Sequence, residues 1–417
     1  MSNNYKLTKL GYFPENWEVT EANYLGLEFI DGDRGTNYPK ETDFSKEGYC
    51  LFLNAKNVTK EGFKFNECQF ISADKDSQLR KGKLNRNDII ITTRGSVGNV
   101  ALFNESVSYN NVRLNSGMVI LRDSNNKFNT SFLYHFLKSS LFQKQVDNIS
   151  FGSAQPQLTI TELKKLKVIA PPIIEQKIIA ALLTTVDEKI ELIARQIFQF
   201  ENLKTSLTQQ FFTKGIGHKN LKSSELGDIP INWDIKYINE IAKISTGAKD
   251  TQNKVDSGAY PFVVRSQKLE RINSYSFDGE AILTAGDGVG VGKVFHYLNE
   301  KFDYHQRVYN IHDFKSAISG KYFFEYFKNN FHKQVRRYNA KGSVDSVRMD
   351  MIAKMFIPIP PINEQNKITH ILNTVDDKLD ILISKKNHYQ DFKIGLMQQL
   401  LTGKIRVNTY QQQSAVA

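Results

Sequence analysis

The feature that most constrains this chain is that it repeats itself. Leu10-Gly11-Tyr12-Phe13-Pro14-Glu15-Asn16-Trp17-Glu18-Val19 returns as Leu226-Gly227-Asp228-Ile229-Pro230-Ile231-Asn232-Trp233-Asp234-Ile235, and both tryptophans of the chain occupy the same place in it. A second block, Pro171-Pro172-Ile173-Ile174-Glu175-Gln176 through Thr185-Val186-Asp187-Glu188-Lys189, returns as Pro360-Pro361-Ile362-Asn363-Glu364-Gln365 through Thr374-Val375-Asp376-Asp377-Lys378. Its tail, Leu207-Thr208-Gln209-Gln210-Phe211-Phe212-Thr213, matches Leu396-Met397-Gln398-Gln399-Leu400-Leu401-Thr402. An internal repeat dictates architecture ahead of any local reading. Between the paired blocks the halves diverge, so the organisation is variable, constant, variable, constant. The 417 residues allow two or three domains, at roughly 100–200 residues each.

The constant blocks read as long helices. Each opens on Pro-Pro, which can begin a helix but not continue inside one, and places Glu175 or Glu364 in the first turn, where a carboxylate suits the positive end of the helix dipole. A heptad seam follows in steps of three and four: Ile179, Leu183, Val186, Ile190, Ile193, Ile197, Phe200, Leu203, Leu207 and Phe211. The second block keeps the register with Ile368, Leu372, Val375, Leu379, Leu382, Tyr389, Phe392, Leu396 and Leu400, interrupted by Lys386. Some 40 residues make a rod of about 60 Å, too long for one small core, so the two rods are expected to pack on each other. Each ends near glycine, at Gly215-Ile216-Gly217 and Gly403.

The variable blocks read as mixed α/β domains with one element order. Strands are expected at Asp88–Thr93 and Gly117–Leu121 with a helix around Ser131–Leu137, and again at Ala281–Thr284, Arg307–Ile311 and Gly320–Phe327. The fold class is therefore α/β, mixed α+β. The boundaries expected are 1–170 for the first variable domain, 171–217 for the first rod, 218–358 for the second variable domain, 359–405 for the second rod and 406–417 for a flexible tail.

Charge sharpens this picture. The chain carries +11, from 55 Lys and Arg against 44 Asp and Glu. Lys177, Lys189, Arg195, Lys204 and Lys214 on the first rod are matched by Glu175, Asp187, Glu188, Glu191 and Glu201, and the second rod is almost as even. The basic excess therefore belongs to the variable blocks, as in nucleic-acid readers on a neutral scaffold. It clusters at Arg80-Lys81-Gly82-Lys83 with Arg86, at Arg265-Ser266-Gln267-Lys268 with Arg271, and at Lys333 through Lys341. Lys and Arg neutralise phosphates, and Arg, Asn and Gln also address base edges.

Catalytic chemistry is not visible. Gly286-Asp287-Gly288-Val289-Gly290-Val291-Gly292-Lys293-Val294 approaches a phosphate loop, but Asp287 stands where the first glycine belongs and Val294 where Ser or Thr would hold magnesium. The other half has the shorter Arg94-Gly95-Ser96-Val97-Gly98 at the equivalent point. The Pro-Pro pairs lack the amide and aromatic of an amino-methyltransferase loop, the eight histidines have no zinc spacing, and Cys50 and Cys68 make no metal or disulfide framework. No catalytic residue and no metal ligand is assigned. No apolar run approaches the ~18 residues of a membrane span and the start lacks a secretory signal, so a cytoplasmic protein with no membrane partner is expected.

The chain resembles the specificity subunit of a type I restriction-modification system. The resemblance is carried by Pro14-Glu15-Asn16-Trp17 and Pro230-Ile231-Asn232-Trp233, by Gly152-Ser153-Ala154-Gln155 and Gly342-Ser343, by the two Pro-Pro-Ile-x-Glu-Gln openings, and by Leu400-Leu401-Thr402-Gly403-Lys404-Ile405-Arg406. It implies two target-recognition domains, each reading one half of a bipartite double-stranded DNA site, and rods paired antiparallel as a coiled-coil ruler in a pseudo-twofold chain. The helix-pair interface is then expected at Ile179, Leu183, Val186, Ile190, Ile193, Ile368, Leu372, Val375, Leu379 and Leu382, and charging Leu183, Ile190 and Leu379 is expected to break the pair while leaving both readers folded. The resemblance implies no enzyme in this chain and no cofactor bound by it. The partners implied are two modification subunits, which use S-adenosylmethionine to methylate adenine N6, and restriction subunits, which use ATP and magnesium.

By position in the family pattern, DNA contact is assigned to Arg94, Ser96, Asn110, Asn111, Gln155 and Gln157 in the first reader. In the second it is assigned to Lys293, His305, Gln306, Arg307, Ser343 and Arg348. The second half departs from the pattern at Val344-Asp345-Ser346, where the first has Ala154-Gln155-Pro156, so the glutamine's role is not carried over. On the residues alone a stand-alone DNA-binding protein and a protein-bridging scaffold remain open.

Overall fold

The computed structural model describes residues 4–150, 157–335 and 346–407. The chain divides into two compact units, Met1–Ile193 with Lys385–Ala417, and Ala194–Ser384. Each unit holds one reader, the first half of the rod that follows it, and the second half of the other rod.

The rods are the helices Ile173–Phe211 and Ile362–Leu400, each 39 residues, and both ends obey the same repeat offset of 189 (173 to 362, 211 to 400). Within the first unit Lys393 Nζ donates to Asp187 Oδ2 at 2.7 Å and Arg406 Nη2 to Glu175 Oε1 at 2.6 Å, so residue numbers rise along one rod as they fall along the other. Within the second, Lys204 pairs with Asp376 and the Ile216 N–H donates to Glu364 Oε1 at 2.9 Å, again antiparallel. Asp187 and Lys204 become Asp376 and Lys393 under the repeat offset, so the same ion pair occurs once in each unit. No helix among the described residues is long and apolar enough to cross a membrane.

The heptad residues do two jobs. Ile179 and Leu183 share a buried cluster with Trp17, Phe132 and Ile169 of the first reader and with Leu400 and Leu401 at the end of the second rod. Ile368 and Leu372 do the same with Trp233, Tyr322, Ile357, Phe211 and Phe212. Val186, Ile193, Val375, Leu379 and Leu382 are buried, Ile190 is half-buried, and Leu203 and Phe392, read as seam positions, are exposed. A charge at Leu183 therefore enters a reader's core as well as the rod seam, which corrects the expectation that it would spare the reader.

Each reader is built on β-sheet, two sheets in the first and one in the second, with a helix packed against it. In the first, the strands Val100–Phe103, Asp88–Thr92, Met118–Asp123 and Leu27–Asp31 lie in that order, and a second sheet holds Val112–Leu114, Cys50–Leu53 and Phe70–Ile71. In the second, one six-stranded sheet runs Lys243–Thr246, Val308–His312, Phe277–Ala285, Phe295–Tyr304, Tyr260–Val263, Glu270–Ile272. The order is the same strand by strand. The long strand Phe295–Tyr304 serves both neighbours in the second reader, whereas the first reader divides it into Val100–Phe103 and Val112–Leu114 around residues 104–111. The packed helices are Thr130–Lys138 and Gly320–Val335. Buried His135 on the first of these faces Thr184 and Asp187 of the rod and is pushed down to about 4, mainly by desolvation and then by the Lys393 charge.

The repeated Glu-Gln joins reader to rod. Trp17 Nε1 donates to Glu175 Oε2 at 3.2 Å, and Trp233 Nε1 to Glu364 Oε2 at 3.1 Å. Each glutamate's other partner comes from the far end of the opposite rod: Arg406 in the first unit, the Ile216 N–H and His218 in the second. Arg406, expected to begin a flexible tail, is thus fixed; residues 408–417 lie outside the described residues. The neighbouring glutamines hold the reader helices: Gln176 Oε1 accepts from the Asn129 N–H and Gln365 Oε1 from the Ser319 N–H, both at 2.8 Å. Gly403 and Gly215 close the rods in left-handed conformation, and a Cβ would meet Pro14 Cγ at 2.5 Å in one and Glu364 Oε1 at 2.5 Å in the other.

Removing a buried carboxylate that satisfies an indole and a guanidinium strands both, whereas an ion pair whose carboxylate is 36% exposed contributes less. Glu175→Ala is expected to cost about 3 kcal/mol and Asp187→Ala less than about 1 kcal/mol in urea denaturation followed by tryptophan fluorescence. Equal losses would contradict this ranking.

Candidate nucleic-acid interface

Both readers end their central strand in a turn whose backbone is fixed in the same way. In the first, the Thr93 and Arg94 N–H groups donate to the Gly117 carbonyl at 2.8 and 3.2 Å, and the Leu158 N–H donates to the Thr93 carbonyl at 3.0 Å. In the second, the Gly286 N–H donates to the Arg307 carbonyl and the Val347 N–H to the Gly286 carbonyl, both at 2.8 Å. Arg94 bridges Gln157, and Asp287 bridges Ser346. Asp287 therefore stands at the backbone position of Arg94.

The first reader gathers exposed Arg94, Ser96 and Gln157 at this edge, next to Ser116 and Gly117. Arg34, which sequence reasoning missed, joins them by donating from Nη2 to the Ser116 carbonyl at 3.3 Å while pairing with Asp31. Its turn is anchored by Asp33, which accepts from the Gly35 and Arg80 N–H groups at 2.7 Å each and is pulled down to about 2 by those bonds. Asn110 and Asn111 are not brought to this edge. They lie at the opposite end of the strand Val112–Leu114, where Asn110 Oδ1 accepts from Arg86 Nη2 at 3.0 Å and the Arg86 guanidinium lies 4.4 Å from the Phe103 ring centre. Gln155 lies outside the described residues.

In the second reader Asp287 Oδ1 accepts from Arg265 Nη1 at 2.9 Å, and its Oδ2 lies 3.6 Å from Arg307 Nε. The glycine turn that follows carries Val289 at 90% exposure and closes on exposed Lys293. Gln306 is exposed, with Nε2 donating to Asp250 at 3.3 Å. His305, assigned to DNA contact, is 2% exposed and cannot offer its ring to a base. Its Nδ1 accepts from the Arg307 N–H at 2.9 Å, so it positions Arg307 from inside. Desolvation, then the Arg265 charge, holds His305 below its ordinary value, which keeps Nδ1 free to accept. Arg348 is exposed ahead of the short helix Met349–Ala353, and Ser343 lies outside the described residues. Arg265 belonged to a visible basic cluster, but its partner Asp287 was legible only as a defect in a phosphate loop. Among the described residues no group of three His, Cys, Asp or Glu side chains is arranged to hold a metal.

Comparison with known proteins places this geometry. The model of the type I restriction modification DNA specificity domain matches residues 14–202 and again 230–388. The type I restriction enzyme MjaVIII specificity subunit of Methanocaldococcus jannaschii is 26% identical, with 94% of each chain covered. The EcoKI specificity subunit of Escherichia coli is 24% identical over 43% of this chain and 38% of its own. In fold, the crystal structure of the type I restriction-modification S subunit from M. genitalium superposes with a TM-score of 0.61 at 16% identity, over 96% of this chain and 99% of that one. The chain belongs to the type I restriction-modification DNA specificity family, with two specificity domains in one polypeptide. It is a specificity subunit, the non-catalytic component of such a system.

The His305 geometry predicts that, in a nitrogen-15 histidine titration, its midpoint lies below that of a free imidazole and its neutral ring carries the proton on Nε2, leaving Nδ1 as the acceptor. A midpoint at or above the free imidazole's would contradict it.

Proposed function

We propose that the protein reads a bipartite duplex site, one half with each reader, and that the strand-end turns are the reading edges. The first presents Arg94, Ser96 and Gln157 with Arg34, and the second presents Arg307, Gln306, Lys293 and Arg348 with Arg265. The observation that carries this reading is that both turns, fixed by the same backbone bonds, gather exposed cationic side chains at the same strand end, Arg94 with Arg34 in one and Arg265 with Arg307 in the other. A basic excess in the readers over neutral rods agrees with it.

The rods set the separation of the half-sites and dock two modification subunits. Support comes from exposed apolar side chains that obey the repeat: Leu192 and Phe392 in the first unit, Ile381 and Leu203 in the second. Two copies of one chemistry in one chain suit two copies of one partner, and exposed apolar groups on a helix suit a helical face. The complex then serves both methylation and restriction, acting in the cytoplasm. S-adenosylmethionine, ATP and magnesium belong to the modification and restriction subunits rather than to this chain.

Mapping N6-methyladenine in host DNA, with and without this gene beside its modification subunit, tests the reading. A gene-dependent motif split by unread base pairs is expected, and Arg94→Ala should relax one half only. A continuous motif, or no gene-dependent methylation, would contradict it.

A further inference from the structure

We propose that Arg265 and Arg307, held together on Asp287, read guanine for the second reader, so that its half-site contains a G·C pair at one base step or two neighbouring ones. The proposal rests on the DNA-specificity reading and adds the chemistry of one half-site to it.

The two arginines come from different strand ends, 42 residues apart in the chain (265 to 307), and meet only through one carboxylate. Asp287 occupies the backbone position that Arg94 fills in the first reader, where no described carboxylate pairs with it. A cation has thus been replaced by an anion at the reading edge, and that anion gathers two cations. The local charge is still positive, but it is now delivered as two oriented forks.

The orientation is what a base edge requires. A guanidinium has five N–H donors in one plane. Arg307 comes nearest to Asp287 through Nε, at 3.6 Å, and no hydrogen bond from its terminal nitrogens is made among the described residues, while Arg265 is engaged through Nη1. The side chains remain 64% and 45% exposed, while Asp287 is 26% exposed beneath them. Among the described residues the Arg265 and Arg307 guanidiniums have no other hydrogen-bond acceptor. The Arg307 backbone is fixed, its N–H by His305 Nδ1 and its carbonyl by the Gly286 N–H, and the Arg265 carbonyl packs against Gly290, where a Cβ would meet it at 2.6 Å. Ordering two long side chains before binding removes part of the entropy that binding would otherwise cost.

Phosphate is the rival partner for an arginine, and here the carboxylate decides. Asp287 repels a phosphate brought to the same two guanidiniums, whereas an uncharged base edge meets no such penalty. The acceptor pair O6 and N7 of guanine in the major groove matches an outward guanidinium fork. Both arginines bind one carboxylate, so they reach the same base pair or adjacent ones, which are stacked about 3.4 Å apart.

The test uses the whole subunit assembled with its modification subunits. Genome-wide N6-methyladenine maps are compared for wild type, Arg265→Lys, Arg307→Lys and Asp287→Asn, with complex formation confirmed by size-exclusion chromatography. Lysine keeps the charge and loses the fork, so each lysine variant should admit other bases at a G·C position of one half-site. Methylation of the original sequence should fall roughly 5- to 100-fold while the other half-site and the spacing stay as they are. Asp287→Asn keeps both arginines and should blunt discrimination at the same positions. In vitro, replacing the recognised guanine by 7-deazaguanine should weaken wild-type binding about tenfold and weaken the lysine variant no further. Unchanged motifs in both lysine variants, a half-site without a G·C pair, or indifference to 7-deazaguanine would overturn the proposal while a split motif kept the specificity reading intact. Absence of any split motif would overturn both.

Discussion

The carboxylate in the first turn of each rod is the interaction on which the rest of the structure depends. Glu175 and Glu364 each accept an indole N–H from the tryptophan at the reader's entrance, and each takes a second partner from the end of the opposite rod. One buried side chain thereby fixes where the reader begins, where its rod begins and where the other rod stops. The adjacent glutamine adds the reader's helix to the same joint. The repeated six-residue opening is therefore a junction, and it explains why the two tryptophans, the Pro-Pro pairs and the closing glycines recur together.

This junction separates what can vary from what cannot. The inner face of each reader packs on Ile179 and Leu183 or on Ile368 and Leu372, so its core is shared with a rod. At the ends of the central strands the readers differ: Arg94 in one, Asp287 with two arginines in the other. The same backbone bonds hold both turns. Specificity can change at those positions without disturbing the joint, because side chains at a strand end are not required for the sheet's own hydrogen bonds.

Much of the fold was legible because it rests on period and repetition. The rods, their identical lengths and the positions of the main strands follow from heptad spacing, Pro-Pro openings and short apolar runs. What was not legible depends on contacts distant in sequence. Asn110 and Asn111 are assigned to DNA contact by position in the family pattern, but they lie where the first reader divides a strand that the second leaves whole, and Asn110 ends beside Arg86 instead. His305 looks like a reading residue until its burial is known. Asp287 gains meaning only when Arg265 and Arg307 are seen to converge on it. Leu183 reads as a seam residue because periodicity reports that a face is buried and not what buries it.

The central claim is that the rods carry length and the readers carry sequence. One heptad inserted after Ile193 and another after Ser384 would keep the seam in register and lengthen the helix pair by about 10 Å, close to three base pairs of duplex. Mapping the methylated motif of that variant is the most direct measurement. The account predicts the same two half-sites separated by about three additional unread base pairs. An unchanged separation, or altered half-sites, would contradict it.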